Sequence, residues 1–295
     1  MAKYEIKDGV GIIPEGTTVI EYYAFKGCAE LTSVVIPDSV TEIDDSAFER
    51  CSGLTSIIIP DSVTKIGMRA FEMCSDLTSI VIPNSVTEIR SFAFHHCTGL
   101  TSLTIPDSVT EIGKAAFGGC TGLTEISIPN SMTVIGVTNF EDCEGLKSIT
   151  IPNSVTKISA SAFRGCKSLT SIIIPNSVTE IEAYAFWWCA LTSIVIPETV
   201  TEIGSTLFFN CTNLKTASIL GPVKELKGLF DGCTSLETVT LGAGIKKINK
   251  NTFDGCKSLK TINVPAKKAD YYKKRLPEEL HALIVELPAE KKSKK

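Results

Sequence analysis

Leu77-Thr-Ser-Ile-Val-Ile-Pro-Asn-Ser-Val-Thr-Glu-Ile-Arg-Ser-Phe-Ala-Phe-His-His-Cys97 decides how this chain folds, because near-copies of it run almost from end to end. Leu77, Ile80 and Ile82 recur as a Leu/Ile/Ile trio, and the last two alternate with outward residues as a β-strand requires. Their β-branched neighbours favour a strand as well. Pro83 ends it by removing an amide donor, and Asn84-Ser85 supplies turn chemistry. Val86 and Ile89 then point inward from a second extended leg. Phe94 and Cys97, spaced i,i+3, fit one helical turn facing the core. The small residue before the phenylalanine (Ala24, Ala47, Ala70, Ala93, Ala116, Ala162, Ala185) suits a crowded corner.

Every cysteine follows a phenylalanine by three residues. The cysteines stand at 28, 51, 74, 97, 120, 143, 166, 189, 211, 233 and 256, a step of 23 residues that twice shortens to 22. A fixed short period is the signature of a solenoid, in which each repeat buries its apolar side only by stacking on its neighbours. Leu should lie over Leu, Phe over Phe and Cys over Cys. Growth by addition needs no second core, so the 295 residues form one array. The expected layout is an N-terminal cap over residues 1–13, about eleven repeats of 22–23 residues over 14–265, a C-terminal cap over 266–287 and a disordered basic tail over 288–295. Within the second cap, Ala266–Leu276 reads as helical and Ala282–Leu287 as a last strand.

Composition narrows the function. The net charge of -4 is small for this length, and the lysines and arginines are scattered apart from the tail, so no nucleic acid partner is expected. The first residues hold no apolar leader, and no run approaches the ~20 apolar residues of a membrane helix.

The line Leu-Thr-Ser-Ile-x-Ile-Pro-x-Ser-Val-Thr-x-Ile-Gly-x-x-Ala-Phe-x-x-Cys resembles the BspA-like, Treponema-type leucine-rich repeats, over roughly Ile12 to Pro265. The resemblance implies an α/β-type repeat solenoid, a curved right-handed coil with a parallel β-sheet on its concave face and short strands and single helical turns elsewhere. It also implies a non-enzymatic adhesion or recognition role at a cell surface or outside the cell, with protein partners such as host matrix or surface proteins. Two rungs depart from the pattern. Leu220 and Gly242 stand in the proline slot and Ala217 replaces Ile or Val, so order is expected to loosen between about residues 214 and 248.

Chemistry is sparse. The cysteine count is odd, no Cys-x-x-Cys occurs, and one cysteine per rung stacks side chains in parallel instead of aiming them together. A buried ladder of free thiols is expected, without metal, since His95, His96 and His281 meet no close cysteine pair. His95-His96 share slots with Glu49-Arg50 and Glu72-Met73, which read as solvent-facing. No Ser-His-Asp order, Gly-x-Ser-x-Gly elbow or phosphate-binding loop is present, so neither catalytic residues nor a cofactor are expected.

Two surfaces are candidates for partner binding. The first is the strip between the inward Leu/Ile/Ile positions: Thr55, Ser56, Ile58; Thr78, Ser79, Val81; Thr101, Ser102, Thr104; Thr170, Ser171, Ile173. It should be flat, mildly apolar and almost uncharged, suited to a protein segment or a glycan, although β-propensity and cross-strand pairing alone would also fill these slots. The second is an aromatic patch of Trp187, Trp188 and Phe209, since adjacent residues do not easily both face a core. A glutamate ladder (Glu42, Glu88, Glu111, Glu180, Glu202), interrupted by Lys65 and Lys157, reads as a solvated face. The sequon Asn210-Cys211-Thr212 sits on a buried rung and is not expected to carry sugar. Protein recognition by a scaffold is thus the leading expectation. A purely structural repeat module is the alternative, with carbohydrate or ice binding ranked behind both.

Overall fold

The computed structural model describes residues 2–289 and is a β-solenoid of about twelve turns, with parallel sheets and little helix. Lys291, Lys292, Lys294 and Lys295 of the expected basic tail lie outside the described residues. Each turn has three legs. The first carries short strands such as Ser56–Ile58, Ser79–Val81 and Ser102–Thr104, in which Ile57 pairs with Ile80 and Leu103 with Ile126 in parallel register. The second carries two-residue strands, and Ile20, Ile43, Ile66, Ile89 and Ile112 follow one another without slip. Side chains alternate with period two along both legs, so unbroken register sends one apolar set inward on every rung.

The third leg is the Phe–Cys segment, and its conformation differs from a turn of α-helix. The cysteine amide does bond back to the phenylalanine carbonyl, as from Cys97 to Phe94 at 3.1 Å. However, the residue before each cysteine takes a left-handed backbone angle, and so does the residue two before each phenylalanine except in the last rung, where Lys250–Phe253 is a short 3-10 helix; Phe92 (φ 62°) and His96 (φ 57°) are examples. Helix cannot propagate through such residues. The leg is instead a chain of tight turns with its own inter-rung ladder, in which the Phe48 amide donates to Ala70 and the Phe71 amide to Ala93, both at 2.8 Å.

Stacking of like on like fills the interior. From Phe25 to Phe253 successive rings lie 5.2–5.8 Å apart and within 21° of parallel. Offset pairs of this kind add about 0.5–1.5 kcal/mol each beyond the burial itself. All eleven thiols are free. Most donate to the carbonyl of the phenylalanine 26 residues earlier, as Cys97 Sγ does to Phe71 at 3.1 Å and Cys120 Sγ to Phe94 at 3.1 Å. The cysteines are therefore more than small apolar fillers, because each satisfies a buried carbonyl of the preceding turn.

The rungs expected to loosen do not. Thr216–Ile219 and Thr238–Leu241 are four-residue strands in register with Ser193–Ile196 and Thr261–Val264. The proline substitutes serve as close-approach points. A Cβ on Gly242 would come within 2.3 Å of the Leu220 carbonyl oxygen, so glycine lets this rung sit tight where proline turns the others. The first-leg sheet is interrupted elsewhere: between Ser33–Val35 and Ser56–Ile58, between Ser79–Val81 and Ser102–Thr104, and at Thr170–Ile174, which keeps its in-out alternation but not its strand hydrogen bonds.

At the N-terminal end an antiparallel hairpin, Glu5–Lys7 with Val10–Ile12, lays Tyr4 5.6 Å from the first phenylalanine ring. At the other end the helix runs only over Ala269–Lys273, shorter than the sequence suggests, because Pro277 follows closely and Tyr272 is drawn fully into the core. Ile284–Glu286 then adds a final parallel strand against Thr261–Val264.

Burial pushes most of the thiols up, to about 12 at Cys51 and Cys120, and Cys256, the least covered, likewise rises to about 12. Thiolate is the reactive form. At pH 8 an aromatic disulfide reagent should leave the native thiols unmodified apart from slow reaction at Cys256, and should titrate all eleven in denaturant. Fast native labelling of several cysteines would contradict the sealed ladder.

Candidate functional site

The strip read from the sequence is on the surface as a set. Thr55, Ser56, Ile58, Thr78, Ser79, Val81, Thr101, Ser102, Thr104, Thr170, Ser171 and Ile173 are all exposed on the first leg, around buried Ile57, Ile80, Leu103 and Ile172. Its apolar members are uncovered to a degree rare for β-branched residues: Val35 63%, Ile58 82%, Val81 76%, Ile173 83% and Val195 54% exposed. They form two stretches, Val35–Ile58–Val81 and Ile173–Val195, separated by Thr104, Ser127 and Thr150. The hydroxyls beside them are less available than the sequence suggests. Thr55, Thr78, Thr101 and Thr124 each donate to the carbonyl of the threonine one rung back, at 3.1–3.4 Å. The threonine ladder is therefore not the free array of hydroxyl donors that ice templating would use.

The glutamate ladder pairs with its interruptions. Lys65 meets Glu42 at 2.6 Å, and Lys157 meets Glu180 at 3.0 Å and Glu182 at 2.6 Å. These half-exposed pairs are each worth little.

The Phe–Cys turns build a second surface, and here one expectation is corrected. The slot after the phenylalanine is not solvent-facing throughout: Glu49 is only 6% exposed and reaches Lys26 at 2.9 Å. Burial pushes its carboxyl up, but hydrogen bonds from Lys26 and Ser46 outweigh that and leave it below the usual range. The residue is held flat along the solenoid axis because the left-handed neighbour turns the chain away. The same lateral packing joins His95 to Glu72 at 3.2 Å, Arg164 to Glu141 at 2.5 Å, and the Arg164 guanidinium to the Trp187 ring at 4.6 Å. Trp187 is half-buried, with Phe209 edge-on at 5.4 Å and Tyr184 at 5.3 Å. Trp188 turns outward. The structure thus brings Trp187, Trp188 and Phe209 together as one ridge.

Trp188 (φ 60°) occupies the left-handed slot that holds glycine at positions 27, 119, 165, 232 and 255. A side chain there costs about 1–2 kcal/mol relative to the ordinary backbone regions. Beside it lies a feature missed in the sequence. Every other rung places three residues from cysteine to leucine, as in Cys166–Leu169 and Cys211–Leu214, whereas Cys189 and Leu191 are two apart. The flanking rungs close this span with a turn, Leu169 N to Cys166 O at 3.1 Å and Leu214 N to Cys211 O at 3.0 Å. Among the described residues no such bond closes Cys189–Leu191. The short rung is recessed, and a cleft of ≈430 Å³ opens between its neighbours. The irregular cysteine–leucine spacing is the sequence signal for it, masked by the nearly constant step from cysteine to cysteine.

No group of three or more metal-binding side chains occurs among the described residues, and no described helix is long and apolar enough to cross a membrane.

Comparison with known proteins agrees with this geometry. A family profile described as a BspA type leucine-rich repeat region matches residues 11–121, 87–215, 135–260 and 222–276. A leucine-rich repeat protein from Bacteroides ovatus is 27% identical, with a TM-score of 0.71 over 95% of this chain and 92% of that one. A leucine rich cell surface protein from Faecalibacterium prausnitzii is 32% identical, with a TM-score of 0.54 over 89% and 80%. A leucine-rich repeat protein from Eubacterium ventriosum is 25% identical, with a TM-score of 0.57 over 87% and 81%. No curated protein sequence matches the chain.

His95 provides a check on the ridge. Burial, then the neighbouring His96, hold its imidazole below its ordinary value against the opposing pull of Glu72 and Glu141. The unfolded chain therefore binds the proton more readily, and stability falls as pH drops below about 6.5 towards the folded value. Denaturant melts at pH 7.5 and 5.5 should show a smaller acid loss for His95→Gln than for the parent. An equal loss in both would mean that His95 is not packed as described.

Proposed function

The chain belongs to the BspA-type leucine-rich repeat family, and from that premise we propose that it is a non-enzymatic recognition scaffold that docks an extended protein segment along its first-leg strip. The observation that carries this reading is the run of uncovered β-branched side chains, Val35, Ile58 and Val81, continued by Ile173 and Val195. Exposed apolar patches on a soluble surface mark contact sites. Thr55, Ser56, Thr78, Ser79, Thr101, Ser102, Thr104, Thr170 and Ser171 supply a flat polar frame whose hydroxyl oxygens remain open to amide donors. A partner strand would gain apolar contact at alternate residues and hydrogen bonds between them. The hairpin at residues 5–12 and the segment 266–287 act, in this reading, as caps that cover the end rungs.

Work at a bacterial surface, on host matrix or surface proteins, is the setting this reading proposes. It is supported by the resemblance to the F. prausnitzii cell surface protein.

The test is an array of matrix and cell-surface proteins probed with the parent chain and with the double variant Ile58→Lys/Val81→Lys. Both side chains already face water, so the fold should persist, as thermal melts can verify. We expect at least one binder on the array and a loss of about tenfold or more in its affinity for the variant. Undiminished binding would reject the strip, and an array without any binder would favour a purely structural module.

A further inference from the structure

We infer that the recess beside Trp188 is a binding site for a neutral saccharide unit, separate from the strip proposed above. The recess exists because one rung lacks a residue. Lys167 on one side and Thr212 and Asn213 on the other belong to complete turns, and Ala190 between them forms the floor that the missing residue would have filled. Its volume, ≈430 Å³, falls within the range of about 300–1,000 Å³ that small-ligand sites occupy.

The walls specify the ligand class. Trp188 offers an indole, 44% exposed, as one side of the recess. Trp187 does not compete for the role, since the Arg164 guanidinium lies over its ring and Phe209 meets it edge-on. Thr212 and Asn213 bring hydroxyl and amide groups that both donate and accept, while the Asn210 carboxamide lies against Gly232 of the next rung. The carbonyls of Trp188 and Cys189 lack the turn partners that their equivalents have at Gly165 and Cys166, which adds acceptors at the same place. An apolar flat face beside groups of mixed donor and acceptor character matches a pyranose, which has an apolar C–H face and a rim of hydroxyls.

Charge excludes the nearest alternatives. No carboxylate lines the recess, so nothing favours a cationic ligand. The one ammonium, Lys167, is paired with Glu144 at 2.6 Å, so nothing strongly favours an anion. An apolar peptide side chain would leave the exposed hydroxyl and amide of Thr212 and Asn213 unused, so it gains less from this recess than a saccharide does.

The backbone supports the same assignment. The left-handed angle at Trp188 aims the side chain outward, where five equivalent rungs carry glycine. The shortened span follows immediately, so the two departures from the repeat adjoin one another in the chain.

The experiment uses the whole chain and reads the indoles directly, because Trp187 and Trp188 are the only tryptophans present. Maltotetraose, cellotetraose, chitotetraose and lacto-N-tetraose would be titrated by tryptophan fluorescence and by calorimetry. At least one should bind with saturable quenching or a blue shift. Trp188→Ala should weaken it by about tenfold or more. A single glycine inserted between Ala190 and Leu191, which restores the ordinary span, should also abolish it while leaving the fluorescence and melting of the unliganded fold near those of the parent. Asn213→Ala provides a milder variant should the insertion not fold, with a loss of about fivefold or more expected. No binding by any of the four sugars would overturn the inference. So would binding that survives both Trp188→Ala and Asn213→Ala, or competition by short peptides in place of sugars.

Discussion

Rung-on-rung register is the constraint on which everything else in this molecule depends. One turn of about 23 residues contributes a leucine, a few branched aliphatics, a phenylalanine and a cysteine, too little apolar surface to close on itself. Only another copy in identical phase covers it. The phenylalanine rings stack because of that phase, and each thiol from Cys51 onward reaches a carbonyl of the preceding turn. A slip of a single residue on either strand leg would send the inward set to solvent. The turns oppose a slip as well, since the amides of the stacked phenylalanines from Phe25 to Phe230 each donate to the next rung.

The same constraint sets what the turns can tolerate. To pass from the second leg to the cysteine in so few residues, the backbone goes left-handed twice in every rung but the last. Seven of the eleven slots before cysteine hold Gly, Asn or Asp, residues at ease there, and the other four hold Arg50, Met73, His96 and Trp188. At these four positions the register of the array overrules local preference. The stacked neighbours hold the strained residue in place, and its side chain projects from a fixed point.

This division explains what could be read from the sequence. The positions of Leu, Ile, Phe and Cys, the reduced thiols and the outward strip follow from period and alternation, which a sequence displays directly. The turn conformation was not visible, because i,i+3 spacing of Phe94 and Cys97 suits a helical turn and a pair of left-handed turns equally well. The burial of Glu49 escaped notice for a related reason: its covering comes from Lys26 and Ser46, whose approach depends on that turn geometry. The rungs at Leu214–Ile248 looked damaged by loss of proline, yet glycine at 242 restores the close approach by another route. The Cys189–Leu191 contraction was legible in principle, and it matters for a site only once three adjacent turns are seen side by side.

Repetition also bears on where recognition can reside. Along regular stretches the surface side chains tend to satisfy one another: threonine hydroxyls donate to the carbonyl one rung back, Lys65 pairs with Glu42 of the preceding rung, and Lys157 with Glu180 and Glu182 of the following one. Such ladders stabilise the array and use up hydroxyl protons and charges that a partner would otherwise meet. Apolar side chains behave differently, because stacking on a like neighbour covers their flanks but not their tips. Val35, Ile58 and Val81 therefore stay available however regular the ladder is, whereas a polar site needs a break in it. The recess beside Trp188 is such a break. A repeat protein of this kind can thus hold two kinds of surface at once, an apolar strip that regularity exposes and a polar cleft that irregularity creates.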